Sequence, residues 1–212
     1  MTVAEKAGLI NTELKKLYPG AVCSLNCENP FELLVAVRLS AQCTDKRVNT
    51  VTPVLFAKFK TLDDYAAADV EDVEGIIHSC GFFHGKARDI IGMASSVRDN
   101  YGGRVPDTVE ELIKLPGVGR KTANLIVGDV YGKPAVVTDT HVIRISNRWG
   151  LSSSKEPVKV ENALRAILPP EESNDFCHRT VMFGRDICTA RSPRCESCPM
   201  KKLCREYTVK SS

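Results

Sequence analysis

Two residues between Leu115 and Arg148 could act on an electrophilic centre: Lys121, an amine able to serve as a nucleophile, and Asp139, a carboxylate able to take a proton. Lys121 follows the turn Pro116-Gly117-Val118-Gly119. Leu112 and Leu115 precede the turn, and Ala123, Ile126, Val127 and Val130 follow it at helical spacing. The pattern predicts helix, tight hairpin, helix over about 108–131. Gly117 and Gly119 permit positive φ and close approach of the backbone to another molecule. The second helix starts at the hairpin, so its unpaired N–H groups and positive dipole end point outward there. The main chain of Gly117, Val118, Gly119 and Arg120 would then bind a phosphate and grip a nucleic-acid backbone without reading its sequence. Asp139 stands at the start of a further helix through Val142, Ile143 and Ile145, so it is also a candidate N-cap.

A second set of reactive side chains lies near the C-terminal end. Cys188, Cys195, Cys198 and Cys204 have the spacing C-x6-C-x2-C-x5-C. Four thiolates suffice for either zinc or an iron–sulfur cluster. Zinc sites usually draw on two close ligand pairs, and here only Cys195 and Cys198 form one, so the spacing leans modestly to iron–sulfur. Cysteines 23, 27, 43, 80 and 177 lie outside the set. Arg191 and Arg194 occupy the loop between the first two ligands, which a metal centre would immobilise as a basic, phosphate-facing surface.

The residues L-P-G-V-G-R-K-T-A, the downstream V-T-D-T-H-V-I-R and the cysteine spacing together resemble the endonuclease III family of DNA glycosylases. The resemblance runs from the first predicted helix to the last cysteine. It implies an all-α, two-lobed helix-hairpin-helix glycosylase fold that binds DNA between its lobes. One lobe would be a six-helix bundle over 23–132; the other would combine 1–22 with 133–212 and hold a [4Fe–4S] cluster on the four cysteines. It implies Lys121 as nucleophile and Asp139 as catalytic aspartate. In the family the loop L-S-A-Q-x-T-D enters the DNA, and its glutamine, here Gln42, fills the space left by an extruded base. A leucine wedge of the family is replaced here by Phe82. His84 is placed to touch phosphate or cap a helix, and His141 and Arg144 to orient Asp139 or touch phosphate. The implied activity is a bifunctional glycosylase and abasic-site lyase of base excision repair that removes oxidised pyrimidines. Its partner would be duplex DNA carrying damaged bases or abasic sites. Lys121 must be neutral to attack, and the helix end, Arg120 and partial desolvation would each favour that form. The competing readings are a mismatch glycosylase on the same scaffold, in which Lys121 would have no role, and a non-catalytic iron–sulfur DNA-binding or redox module.

The elements that must hold these residues are legible as helix starts and apolar stripes. A first amphipathic helix puts Leu9, Ile10, Leu14 and Leu17 toward a core and ends at Tyr18-Pro19-Gly20. Asn29-Pro30 starts a helix that runs to the Gln42 loop, and Thr44 or Asp45 caps the next. Thr61 and Asp69 begin two short helices. After the aromatic turn Gly81–Gly85, a stripe of Ala87, Ile90, Ile91, Ala94 and Val97 follows from Lys86 and reads as core. Asp107-Thr108-Val109-Glu110 caps the first hairpin helix, Glu156-Pro157 starts a later one, and Ser173 or Asn174 the last long one. The chain has 212 residues, 43% hydrophobic and 26% charged, as expected for a folded soluble protein. The net charge of +3 says little about partners, but residues 177–212 carry eight Lys and Arg against three Asp and Glu, so the basic surplus lies beside the cysteines. No run nears the roughly 18 apolar residues of a membrane span, and no signal peptide is visible, so a cytoplasmic, nucleoid-associated monomer is expected.

Overall fold

The computed structural model describes residues 1–210, and every regular element among them is helical. The chain forms two compact units: Met1–Cys23 together with the chain from Gly132 on, and Ser24–Tyr131.

The chain opens with α1 (Val3–Leu17), started by a Thr2–Glu5 capping box. Its buried face is Ala7, Ile10, Asn11 and Leu14, while Leu9 and Leu17 are exposed. Positions 7, 10, 11 and 14 follow the 3–4 spacing; Leu9 lies on the opposite face, while Leu17 keeps the spacing but is the last residue of the helix.

The continuous unit carries α2 (Pro30–Ser40), α3 (Asp45–Lys58), α4 (Leu62–Ala66), α5 (Val70–Ile77), α6 (Phe83–Tyr101), α7 (Val109–Leu112) and α8 (Arg120–Asp129). Asn29, Thr61 and Asp69 each cap a helix by accepting a backbone N–H, as their positions predicted; Thr44 rather than Asp45 caps α3, and Thr108 caps α7. The core is α2, buried from Leu33 to Val37 and again at Leu39, against α3, α6 and α8. Helix α6 starts at Phe83, so the aromatic turn is shorter than the glycines at 81 and 85 suggested. Its buried face is Lys86, Ala87, Ile90, Met93, Ala94 and Val97; Ile91 is only half-buried.

The discontinuous unit adds α9 (Thr140–Trp149), α10 (Pro157–Arg165), α11 (Ser173–Asp186) and α12 (Arg205–Lys210) to α1. Trp149 packs against Phe176 and Phe183, which joins α9 to α11 through one aromatic cluster. Helix α1 lies on α11, and Asn11 and Lys15 both bond Glu172 in the turn before it.

Candidate active site

The hairpin rests on a floor built from α2 and α6. Val118 is buried, and its N–H donates to the Leu115 carbonyl at 3.1 Å, closing the turn. Gly117 has φ +71°, a region that favours glycine. It also has no room for a side chain. A methyl group there would lie 2.6 Å from Asp89 Oδ2 and 2.8 Å from Arg38 Nε. Those two side chains form a half-buried ion pair, with Arg38 Nε and its terminal nitrogen 2.7 and 2.6 Å from Asp89 Oδ2. One turn on, Gly92 admits the Pro116 ring; a Cβ there would come within 3.1 Å of it. Gly119 differs from the expectation: its φ is −91° with ψ 170°, ordinary extended backbone at the N-cap of α8. It has no side chain with which to cap the helix, so the first-turn N–H groups receive no side-chain oxygen from the cap position. Arg120 and Lys121 follow in that turn, both exposed, and Lys121 lacks the partial burial expected of it.

Two short segments of the same unit present exposed side chains from strained backbone. Among the described residues, Gln42 at φ 55° and Phe82 at φ 48° are the non-glycine residues in the left-handed region. Gln42 is exposed, and Phe82 keeps 71% of its surface open. His84 is exposed as well, with Nδ1 2.8 Å from Glu74 Oε2 and its ring against that of Phe83.

In the other unit Asp139 is half-buried and caps α9, accepting the Val142 N–H at 2.7 Å. His141 and Arg144 turn toward α11. Arg144 donates to the carbonyls of Cys188 at 2.9 Å and Gly184 at 3.3 Å and lies 3.2 Å from His141 Nδ1. Gly184 is what lets the helices meet, since a Cβ there would sit 2.6 Å from His141 Nδ1 and from Ile145 Cδ1. Burial pushes the His141 imidazole below its ordinary value; Asp139 pulls the other way and Arg144 reinforces the fall. Asp139 acts electrostatically on both residues, and Arg144 also braces α9 against the start of the cysteine segment.

Arg148, which no pattern in the sequence singles out, continues that brace. It donates to Cys188 Sγ at 3.3 Å, to the Thr189 carbonyl at 2.9 Å and to the Ala190 carbonyl at 3.2 Å, and pairs with Glu206 at 3.1 Å. Cys204 Sγ lies 3.5 Å from the Arg148 carbonyl. All four cysteines of the C-x6-C-x2-C-x5-C set line one hollow of about 200 Å³, walled by Trp149, Phe183 and Ile187. Among the described residues no three acidic, His or Cys side chains converge tightly enough for a single ion. The four thiols share one hollow, and a guanidinium faces one of them. That donor set and wall fit a polynuclear iron–sulfur group of net negative charge. Burial raises the Cys188 and Cys198 thiols, so deprotonation would fall to the metal. Arg191 and Arg194 are exposed on the loop between the first two cysteines, with Arg194 3.8 Å from Asp186.

Residues 35–170 match the HhH-GPD superfamily of base excision DNA repair proteins, and residues 188–204 match the iron–sulfur binding domain of endonuclease III. Endonuclease III of Bacillus subtilis is 48% identical over 191 residues, covering 90% of this chain and 87% of that one. The Escherichia coli K12 enzyme is 39% identical over 95% of each chain. The structure of a trapped endonuclease III–DNA covalent intermediate superposes with a TM-score of 0.93 at 45% identity, covering all of both chains. The chain belongs to the endonuclease III family of DNA glycosylase/AP lyases and carries its [4Fe–4S] cluster. No helix among the described residues is long and apolar enough to cross a membrane.

Proposed function

We propose that the protein acts as a monomer on duplex DNA carrying oxidised pyrimidines or abasic sites, with Lys121 as nucleophile and Asp139 as proton acceptor. The observation that carries this is the position of Lys121: an exposed amine in the first turn of the helix whose N-terminus the hairpin presents. Backbone N–H groups there would hold a phosphate, leaving the adjacent amine to reach the sugar. The target nucleotide must first leave the stack. Gln42 and Phe82 fill the vacated space in this reading, and Arg191 and Arg194 hold flanking phosphates. The Lys121 amine, once neutral, bonds to C1′ as the N-glycosidic bond breaks and its electron pair leaves with the base. Asp139 accepts the proton released by the amine, and its negative charge offsets positive charge growing on the sugar. Opening of the sugar ring gives the imine. Loss of the acidified 2′ proton then drives out the 3′ oxygen and cuts the strand.

Cys188, Cys195, Cys198 and Cys204 would hold the cluster, which when bound ties the basic loop and α12 to one rigid centre. Arg144 and Arg148 hold the same segment from α9, the helix that Asp139 caps.

The test is borohydride reduction in the presence of abasic-site and thymine-glycol duplexes. Wild type should form a covalent adduct and cut the strand. Lys121→Gln should do neither while still binding DNA. Adduct formation by Lys121→Gln would overturn the assignment and require another amine.

A further inference from the structure

Lys86 is the largest buried charged side chain in the continuous unit and has no place in the chemistry above. It is 1% exposed. Its Nζ donates to the carbonyls of Leu39 at 2.8 Å, Ala41 at 2.8 Å and Cys80 at 3.0 Å. An ammonium has three hydrogens, and three carbonyls take them. Those carbonyls come from two separate segments. Ala41 immediately precedes Gln42, and Cys80 is separated from Phe82 only by Gly81. Each segment therefore carries a carbonyl fixed by the same ammonium just before its left-handed residue, adjacent to Gln42 in one and one glycine away from Phe82 in the other.

Left-handed backbone is unfavourable for Gln and more so for Phe, and Phe82 makes no side-chain cap bond that would offset it. Such conformations persist only where the surroundings over-determine them. We infer that Lys86 is a positioning residue: one buried ammonium sets the backbone of both exposed residues, Gln42 and Phe82, before DNA is met. The inference rests on the reading that these two side chains enter the duplex. Burial lowers the Lys86 amine below the usual lysine range, against which Cys80 and Cys43 act. The three carbonyls are the partners that keep a buried donor satisfied. The arrangement joins the two segments as one unit, so that insertion of one side chain presents the other without further ordering.

The experiment compares Lys86→Met, Gln42→Ala/Phe82→Ala and the triple variant in the full-length cluster-loaded protein. On a thymine-glycol duplex, single-turnover base release should fall on the order of 10- to 100-fold in Lys86→Met, the scale expected of misplaced positioning groups. Affinity for undamaged duplex and borohydride trapping on a single-stranded abasic oligonucleotide should stay at wild-type level, since neither needs a filled gap. Adding Lys86→Met to the double alanine variant should cost little more, because the residue acts through those two side chains. Multiplicative losses, or an equal fall in single-strand trapping, would make Lys86 a general structural residue and overturn the proposal. A double alanine variant with normal base release would instead refute the reading of Gln42 and Phe82, a distinct outcome. A measurement free of any Lys86 variant stands beside these. If the ammonium holds strained backbone, Gln42→Gly and Phe82→Gly should each raise the melting temperature, by about 2–4 °C. An unchanged or lowered value in both would remove the strain on which the proposal depends.

Discussion

Replacing Gly117 by Ala tests whether the hairpin is held by its floor. The φ of +71° would cost an Ala side chain about 1–2 kcal/mol. The added methyl would also lie 2.6 Å from Asp89 Oδ2 and 2.7 Å from Asp89 Cγ, so the carboxylate must retreat by about half an ångström or more. That movement strains the pair with Arg38, whose two contacts are 2.7 and 2.6 Å long. A half-buried charge-assisted pair is worth roughly 1 kcal/mol, or somewhat more. The total is about 2–4 kcal/mol, which for a chain of this size lowers the melting temperature by roughly 5–15 °C. Calorimetry on the loaded protein reads it directly. Asp89→Ala/Gly117→Ala should lose less than the sum of the two single changes, because removing the carboxylate opens the space the methyl needs. Gly119→Ala is the internal control. Its φ is −91° and nothing lies within 4 Å of the place its Cβ would take, so the change should cost no more than the roughly 0.5–1 kcal/mol by which Ala is a poorer N-cap than Gly, well short of Gly117→Ala. A Gly117→Ala protein within about 0.5 kcal/mol of wild type, or strict additivity with Asp89→Ala, would refute the account.

Asp139→Asn should fold normally, because Asn caps as well as Asp, but should lose base release by on the order of 10²-fold or more. Asp139→Ala should in addition lose about 1 kcal/mol of stability; near wild-type activity in the Asn variant would reduce Asp139 to a cap. Arg191→Ala/Arg194→Ala should weaken binding to any duplex and flatten the salt dependence by up to about one unit of slope per lost phosphate contact, with an unchanged slope showing that the loop faces away from DNA. Purified wild-type protein should be yellow-brown with iron and sulfide near equal, and Cys198→Ser should reduce the yield of folded protein along with the visible absorption; a colourless, zinc-containing wild type would contradict the ligand assignment.

What could be read from the sequence was local chemistry. Asp139 showed itself as a cap because Asp precedes an apolar period, and the hairpin because Pro-Gly-Val-Gly breaks two such periods. Thr108, Asn29 and Thr61 were visible for the same reason. What could not be read were side chains whose partners lie far along the chain. Lys86 heads an apolar stripe and looks like its solvated edge; its burial depends on carbonyls 45 and 47 residues away. Arg148 ends the most telling stretch of the sequence, yet its partners lie about 40 residues downstream. Gly119 looked equivalent to Gly117 because composition does not distinguish a residue that needs positive φ from one that merely ends a turn. Leu9 and Leu17 were misplaced for a simpler reason: Leu9 is apolar but off the 3–4 spacing, and Leu17 keeps the spacing but stands at the helix end.

The order of the two units along the chain has a consequence for synthesis. Ser24–Tyr131 leaves the ribosome as one uninterrupted piece and can collapse as soon as it has emerged. Helix α1 is made before Ser24–Tyr131 but belongs with α11, and Lys15 finds Glu172 only once the chain has grown 157 residues further. At ordinary translation rates of about 5–20 residues per second, the apolar face of Ala7, Ile10 and Leu14 waits roughly 10–30 s for its cover. During that interval the nascent chain carries a finished unit with an unburied helix ahead of it, a natural site for holdase chaperones to bind.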